Sequence, residues 1–149
     1  MKKIILLILA LILAACSPGT KNEYDANLEK WQNTNINHYR YSLSLICFCP
    51  GTDKMPLTVE VQNDEVFSMT YADGTSVLAN DPQFEFYSQY ATINRLFTEL
   101  KADLDGRAAE VTVTYDSTYG FPTKVNIDRI KNAIDDELAL TVSDFQELE

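Results

Sequence analysis

Cys47-Phe48-Cys49-Pro50 is the stretch whose residue types could do chemistry. Two thiols separated by one residue can join to each other, stay free as nucleophiles, or ligate a soft metal. On one face of an extended strand their Cα atoms would lie about 6.6 Å apart, near the top of the roughly 4.4–6.8 Å range that disulfides span. A bridge therefore needs the strand to bend, and Pro50 is a place where strand pairing can stop. The spacing is one residue short of the redox pattern C-x-x-C. The expectation is a Cys47–Cys49 disulfide that fixes a local kink. Reduced buried thiols and a redox or metal role are the alternatives. So short a loop adds little chain entropy to stability.

Other candidates for chemistry are sparser. His38 is the only histidine, nine residues before Cys47. With both thiolates and a carboxylate it could complete a zinc set, whereas the plainer role is a surface or capping residue. Asp116, Asp128, Asp135, Asp136 and Glu137 could converge on calcium from several loops, but they lack the regular ligand spacing of an EF-hand. A solvated acidic turn is the plainer reading. The chain has no G-x-S-x-G, no H-E-x-x-H and no glycine-rich phosphate loop, with five glycines in all. Nothing here builds a catalytic centre, and no cofactor is expected. Residues 84–90, FEFYSQY, are aromatic at both odd and even positions in a polar stretch. Aromatic side chains are enriched in contact surfaces, so Phe84, Phe86, Tyr87 and Tyr90 form a candidate contact loop. Packing of the loop over a sheet edge is the competing reading.

The third cysteine, Cys16, closes the N-terminal stretch MKKIILLILALILAAC. Lys2 and Lys3 precede ten uninterrupted apolar residues, Ile4 to Leu13. That is the length of a signal-peptide core, since a membrane-spanning helix needs about 20. Leu13-Ala14-Ala15-Cys16 resembles the bacterial lipobox, in which the cysteine is acylated and becomes the first residue after cleavage. The reading is a lipoprotein signal over 1–15 and a lipidated Cys16. Residues 16–24 form the lipidated cysteine and a tether, and the domain covers 25–149. The membrane is then met through the acyl chains. Two cysteines remain, an even number suited to an oxidising compartment. Ser17 rather than aspartate follows Cys16, which under the sorting rule that accompanies this motif implies the periplasmic face of an outer membrane.

Cleavage would leave 134 residues, enough for one core. Loss of Lys2 and Lys3 would move the formal charge from −10 to −12. So acidic a domain is a poor partner for nucleic acid or anionic headgroups.

Periodicity supplies the elements that position these residues. Tyr24, Leu28 and Trp31 recur at helical spacing, with Asp25 as N-cap, which predicts a helix over about 25–34. Tyr39, Tyr41, Leu43, Leu45, Cys47 and Cys49 then fall on one face of a strand, opposite Arg40, Ser42, Ser44, Ile46 and Phe48. Leu57–Val61 and Val66–Tyr71 form a hairpin across Asn63-Asp64. Residues 75–90 read as irregular. Ile93, Leu96, Phe97, Leu100 and Leu104 make an amphipathic helix ending near Gly106. Strands around Val111–Tyr115, Val125–Ile127 and Leu138–Val142 follow. The order is helix, three strands, helix, three strands: an α+β domain with helices on one face of an antiparallel sheet.

The stretches NHYRYSLSLICFCP, VQNDEVFSMTYADG, TINRLFTEL, VTVTYDSTYGFPTKVNID and AIDDELALTVSDFQ together resemble an uncharacterised bacterial family, domain of unknown function 6174. Many of its members are envelope lipoproteins. The resemblance covers about residues 28–146 and implies no activity. The functional expectation is therefore a non-catalytic binding module in the envelope with an unidentified protein partner. An inhibitor-like or ligand- or calcium-sensing domain is the runner-up, and a thiol-dependent enzyme using Cys47 and Cys49 the third reading.

Overall fold

Strands of period two bury alternate side chains, and two three-stranded meanders do so here. The computed structural model describes residues 20–149. β1 (His38–Cys47), β2 (Leu57–Gln62) and β3 (Glu65–Thr70) form the first meander; β4 (Glu110–Tyr115), β5 (Pro122–Asp128) and β6 (Leu138–Glu147) form the second. β1 and β6 pair antiparallel along their length, Leu43 opposite Val142 and Leu45 opposite Leu140. The result is one six-stranded sheet in the order β3-β2-β1-β6-β5-β4. Asn63 and Asp64 both take positive φ, 51° and 62°, which turns β2 tightly into β3.

Among the described residues, three α-helices cover one face. α1 (Thr20–Gln32), α2 (Phe84–Ser88) and α3 (Ile93–Ala102) lay their apolar sides on the inward residues of the strands. Trp31 of α1 meets the rings of Tyr39, Phe121 and Phe145 edge-on at 5.5, 6.0 and 6.0 Å between centroids. In α3, Ile93, Leu96, Phe97 and Leu100 are buried as the apolar stripe requires. Thr92 caps that helix, its hydroxyl accepting the Arg95 N–H at 3.2 Å. The far end of α3 is tied down by Asp103, which is buried and accepts from Arg107 Nε at 2.6 Å and Arg129 Nη1 at 3.2 Å. Gly106 closes this turn at φ 116°, a conformation glycine adopts without steric cost.

The α+β layout agrees with the sequence pattern, and two local expectations do not. α1 begins at Thr20, ahead of the expected start at Asp25, so Asp25 is inside the helix and does not cap it. Tyr24 explains the extension. Its ring packs edge-on against Phe97 at 5.6 Å and its hydroxyl donates to the Phe97 carbonyl at 3.0 Å, so tertiary contact pays for the extra turn. The segment 75–90, read as irregular, contains α2. No helix among the described residues is long and apolar enough to cross a membrane. The signal segment, Cys16 and Ser17–Gly19 lie outside the described residues.

Candidate interaction surface

β1 delivers Cys47 and Cys49 to the end of the sheet. Leu43 and Leu45 point inward and are fully buried, whereas Ile46 and Phe48, of opposite parity, are 69% and 84% exposed. Beyond Cys47 the strand turns, and the Cα atoms of Cys47 and Cys49 close to 5.2 Å, comfortably within reach of a bridge. The bend that the spacing calls for is present, and Phe48 within it is exposed to solvent. Gly51 follows at φ 87°, and its carbonyl accepts the Tyr87 hydroxyl at 3.0 Å. A side chain at Gly51 would collide with that phenol. Cys47, Phe48, Cys49, Pro50 and Thr52 line a groove of about 370 Å³ over this turn.

Register places Ile46 in a row across the open face. Ile46 lies opposite Ala139, Ala139 opposite Asn126, and Asn126 opposite Thr112. Beside this row is a cleft of about 240 Å³ whose lining includes Glu110, Asp128 and Glu137. One end of the open face thus carries exposed Ile46 on β1, exposed Phe48 in the turn after it, and a group of carboxylates from β4, β5 and the residue before β6. The β5–β6 connection at this end exposes two more, Ile130 and Ile134. The remaining open face mixes Ser42, Ser44, Thr58, Thr112, Thr114 and Thr141 with charged Arg40, Glu60 and Lys124, and Phe67 is exposed on β3.

Several sequence candidates are placed differently. Tyr87 and Tyr90 are buried, at 0% and 4% exposure. Tyr87 packs against Tyr71 and props the Gly51 turn; the Tyr90 carbonyl accepts the buried Tyr41 hydroxyl at 3.1 Å. These two rings are core, and a helical turn over residues 84–88 is what rotates them inward. Phe84 and Phe86 are half-buried, and Phe84 borders a groove with Arg95 and Glu99.

The zinc set is not assembled. His38 and Cys47 stand at opposite ends of β1, roughly 30 Å apart at strand rise. His38 instead sits between two acceptors, Nε2 at 3.0 Å from Glu60 Oε1 and Nδ1 at 3.0 Å from the Glu149 carbonyl. Both nitrogens can donate only in the imidazolium form. The Glu60 hydrogen bond, then the Glu149 carbonyl, raise the His38 pKa.

The calcium set is divided as well. Asp116 closes the β4–β5 turn by accepting the Thr118 and Tyr119 N–H groups at 2.8 and 2.6 Å. Asp128 pairs with Glu110 at the other end of that hairpin, roughly 20 Å away. Asp136 accepts the Ile130 N–H at 2.6 Å, an ordering role within its own loop. Asp135 and Glu137 are exposed there. Among the described residues no three His, Cys, Asp or Glu side chains converge as metal ligands.

The surface that sequence reasoning passed over is Ile46 with Phe48. Its signal was legible: apolar residues at the outward parity of a strand whose other outward positions are Arg40, Ser42 and Ser44.

These features define an α+β domain with one helix-covered and one open sheet face, whose most exposed apolar end adjoins a cysteine turn. The chain belongs to the family described as Family of unknown function (DUF6174), which it matches over residues 23–147. No curated protein and no solved structure matches it.

Proposed function

We propose that this protein is a non-catalytic binding module, anchored to a bacterial cell envelope by a lipid on Cys16, with the Ile46–Phe48 end of its open face as the contact surface. The observation that carries the reading is the exposure of Ile46, 69%, on a strand whose other face is core, and of Phe48, 84%, in the turn that follows it. Exposed apolar side chains beside a polar rim are the usual composition of a contact surface. Glu110, Asp128 and Glu137 border the same end. The partner that fits offers apolar side chains flanked by lysine or arginine. The formal charge of −12 after cleavage favours encounter with such a cationic partner.

The anchoring half of the proposal rests on Leu13-Ala14-Ala15-Cys16. Metabolic labelling with a fatty-acid probe is expected to mark the wild type and miss Cys16→Ala; equal labelling of both rejects it. Ser17 supports placement on the periplasmic face of an outer membrane. Within that compartment Cys47 and Cys49 are proposed to be joined. Unreduced protein should then show no free thiol, and free alkylation of both cysteines in the native protein would favour thiol chemistry instead.

The contact half is tested by crosslinking in intact envelopes. Ile46→Ser with Phe48→Ser should abolish the crosslinked species and leave the melting temperature nearly unchanged. Asp128→Asn with Glu137→Gln should weaken it, and added salt should do the same. Undiminished crosslinking by the Ile46/Phe48 variant overturns the assignment.

A further inference from the structure

We infer that the domain rides directly on the bilayer that holds its lipid, with the start of α1 and the turn after α3 against the headgroups and the β3 edge turned away. This rests on the proposed acylation of Cys16 and adds an orientation to it.

Chain length carries the argument. Because α1 already begins at Thr20, only Ser17, Pro18 and Gly19 separate it from Cys16. Four Cα-to-Cα steps reach at most about 14 Å. A domain of this size has a radius of roughly 18 Å. The connection is shorter than that radius, so it cannot carry the domain round to present its far side.

The start of α1 is itself fastened to the body. Lys21 Nζ lies 2.8 Å from Asp105 Oδ1, and Lys101 Nζ lies 2.5 Å from Asp105 Oδ2. Tyr24 is buried against Phe97, whose ring stacks on Tyr115 of β4 at 6.4 Å. The anchored end of α1 therefore lies over the β4 edge. β3 is the opposite edge, five strand spacings or about 24 Å away.

Charge is compatible with the placement. Lys21 and Lys101 balance Asp25 and Asp105, so this patch is formally neutral and meets headgroups with less repulsion than the rest of an acidic surface. The contact residues would be Lys21, Asn22, Asp25, Lys101, Ala102 and Asp105. The sheet then stands with its β4 edge and Glu110 toward the membrane, while β1 with Ile46, and Phe48 just past it, are held off the bilayer by three strand spacings.

The test uses full-length acylated protein in phosphatidylethanolamine/phosphatidylglycerol vesicles carrying nitroxide-headgroup lipid. In a Cys47→Ser/Cys49→Ser background, a fluorophore is placed through Ala102→Cys or Phe67→Cys. Quenching at position 102 is expected to exceed that at 67 several-fold. Ten Gly/Ser residues inserted after Gly19 should remove most of the difference. Wild-type protein gives a second readout free of substitutions: amide exchange over 21–26 and 101–107 should be slower than in the spacer variant, with 63–70 unchanged. Intact mass of the same samples reports acylation. Acylated protein with equal quenching and equal exchange overturns the orientation and leaves the anchor standing. A mass without acyl chains removes the anchor, and this inference with it.

Discussion

The two faces of the sheet are built by the same six strands and share almost nothing else. The covered face carries Tyr39, Tyr41, Leu43, Leu45, Val59, Val125 and Leu140, all nearly inaccessible, and the Tyr39 and Tyr41 hydroxyls are both hydrogen-bonded. Tyr39 accepts the Ile93 N–H at 3.0 Å, and Tyr41 donates to the Tyr90 carbonyl. Burial raises the pKa of both hydroxyls, so they remain neutral hydrogen-bonding groups. The open face is polar and charged, with Arg40, Ser42, Ser44, Glu60, Lys124 and Thr141 among its residues; at one end Ile46 and, just past β1, Phe48 stand in solvent, and Phe67 is exposed on the β3 edge. Stability resides in the first face; the second is free to vary its chemistry without cost to the fold. That division makes the exposed apolar end informative, since packing does not account for it.

Substitutions on the two faces should sort accordingly. Phe97→Ala removes a ring that bridges Tyr24 and Tyr115 and should cost about 3–5 kcal/mol in urea or guanidinium unfolding. Loss below about 1 kcal/mol would mean the helix layer is not part of the core. Tyr39→Phe keeps the ring but strands the buried Ile93 N–H, for about 1–3 kcal/mol. Ile46→Ser and Phe48→Ser, on the open face, should each stay within about 0.5 kcal/mol. A large loss there would erase the distinction between the faces and return those side chains to a structural role.

The smallest expected effect is at the edge between them. The His38 pKa is raised by Glu60 and the Glu149 carbonyl, so folding is favoured by the protonated ring. The contribution is full below histidine's ordinary value of about 6.5 and is lost as pH rises through the raised folded value. Unfolding free energy measured across that window should decline with pH, and Glu60→Gln should flatten the decline. An unchanged slope in that variant would show that the pair is not formed.

The amino-acid order by itself determined the alternation of β1, the Asn63-Asp64 turn, the stripe of α3 and the succession of helix and strands. Each of these is a local pattern whose period or backbone demand is carried by neighbouring residues. It also set the cysteine spacing, whereas the short interval between Cys16 and the fold came from the packing of Tyr24 on Phe97, which starts α1 ahead of Asp25. Only tertiary structure decided which aromatics are core. FEFYSQY reads as a contact loop, yet the chain through and just after α2 packs Tyr87 and Tyr90 into the core, while Phe48, just past β1, is left in solvent. The physical reason is that burial depends on what lies across from a side chain. The partners of Tyr87 at Gly51 and of Ile46 at Ala139 are 36 and 93 residues away in sequence. The same distance kept His38 from Cys47 and divided the acidic residues between two ends of a hairpin: strand geometry separates what sequence sets close together.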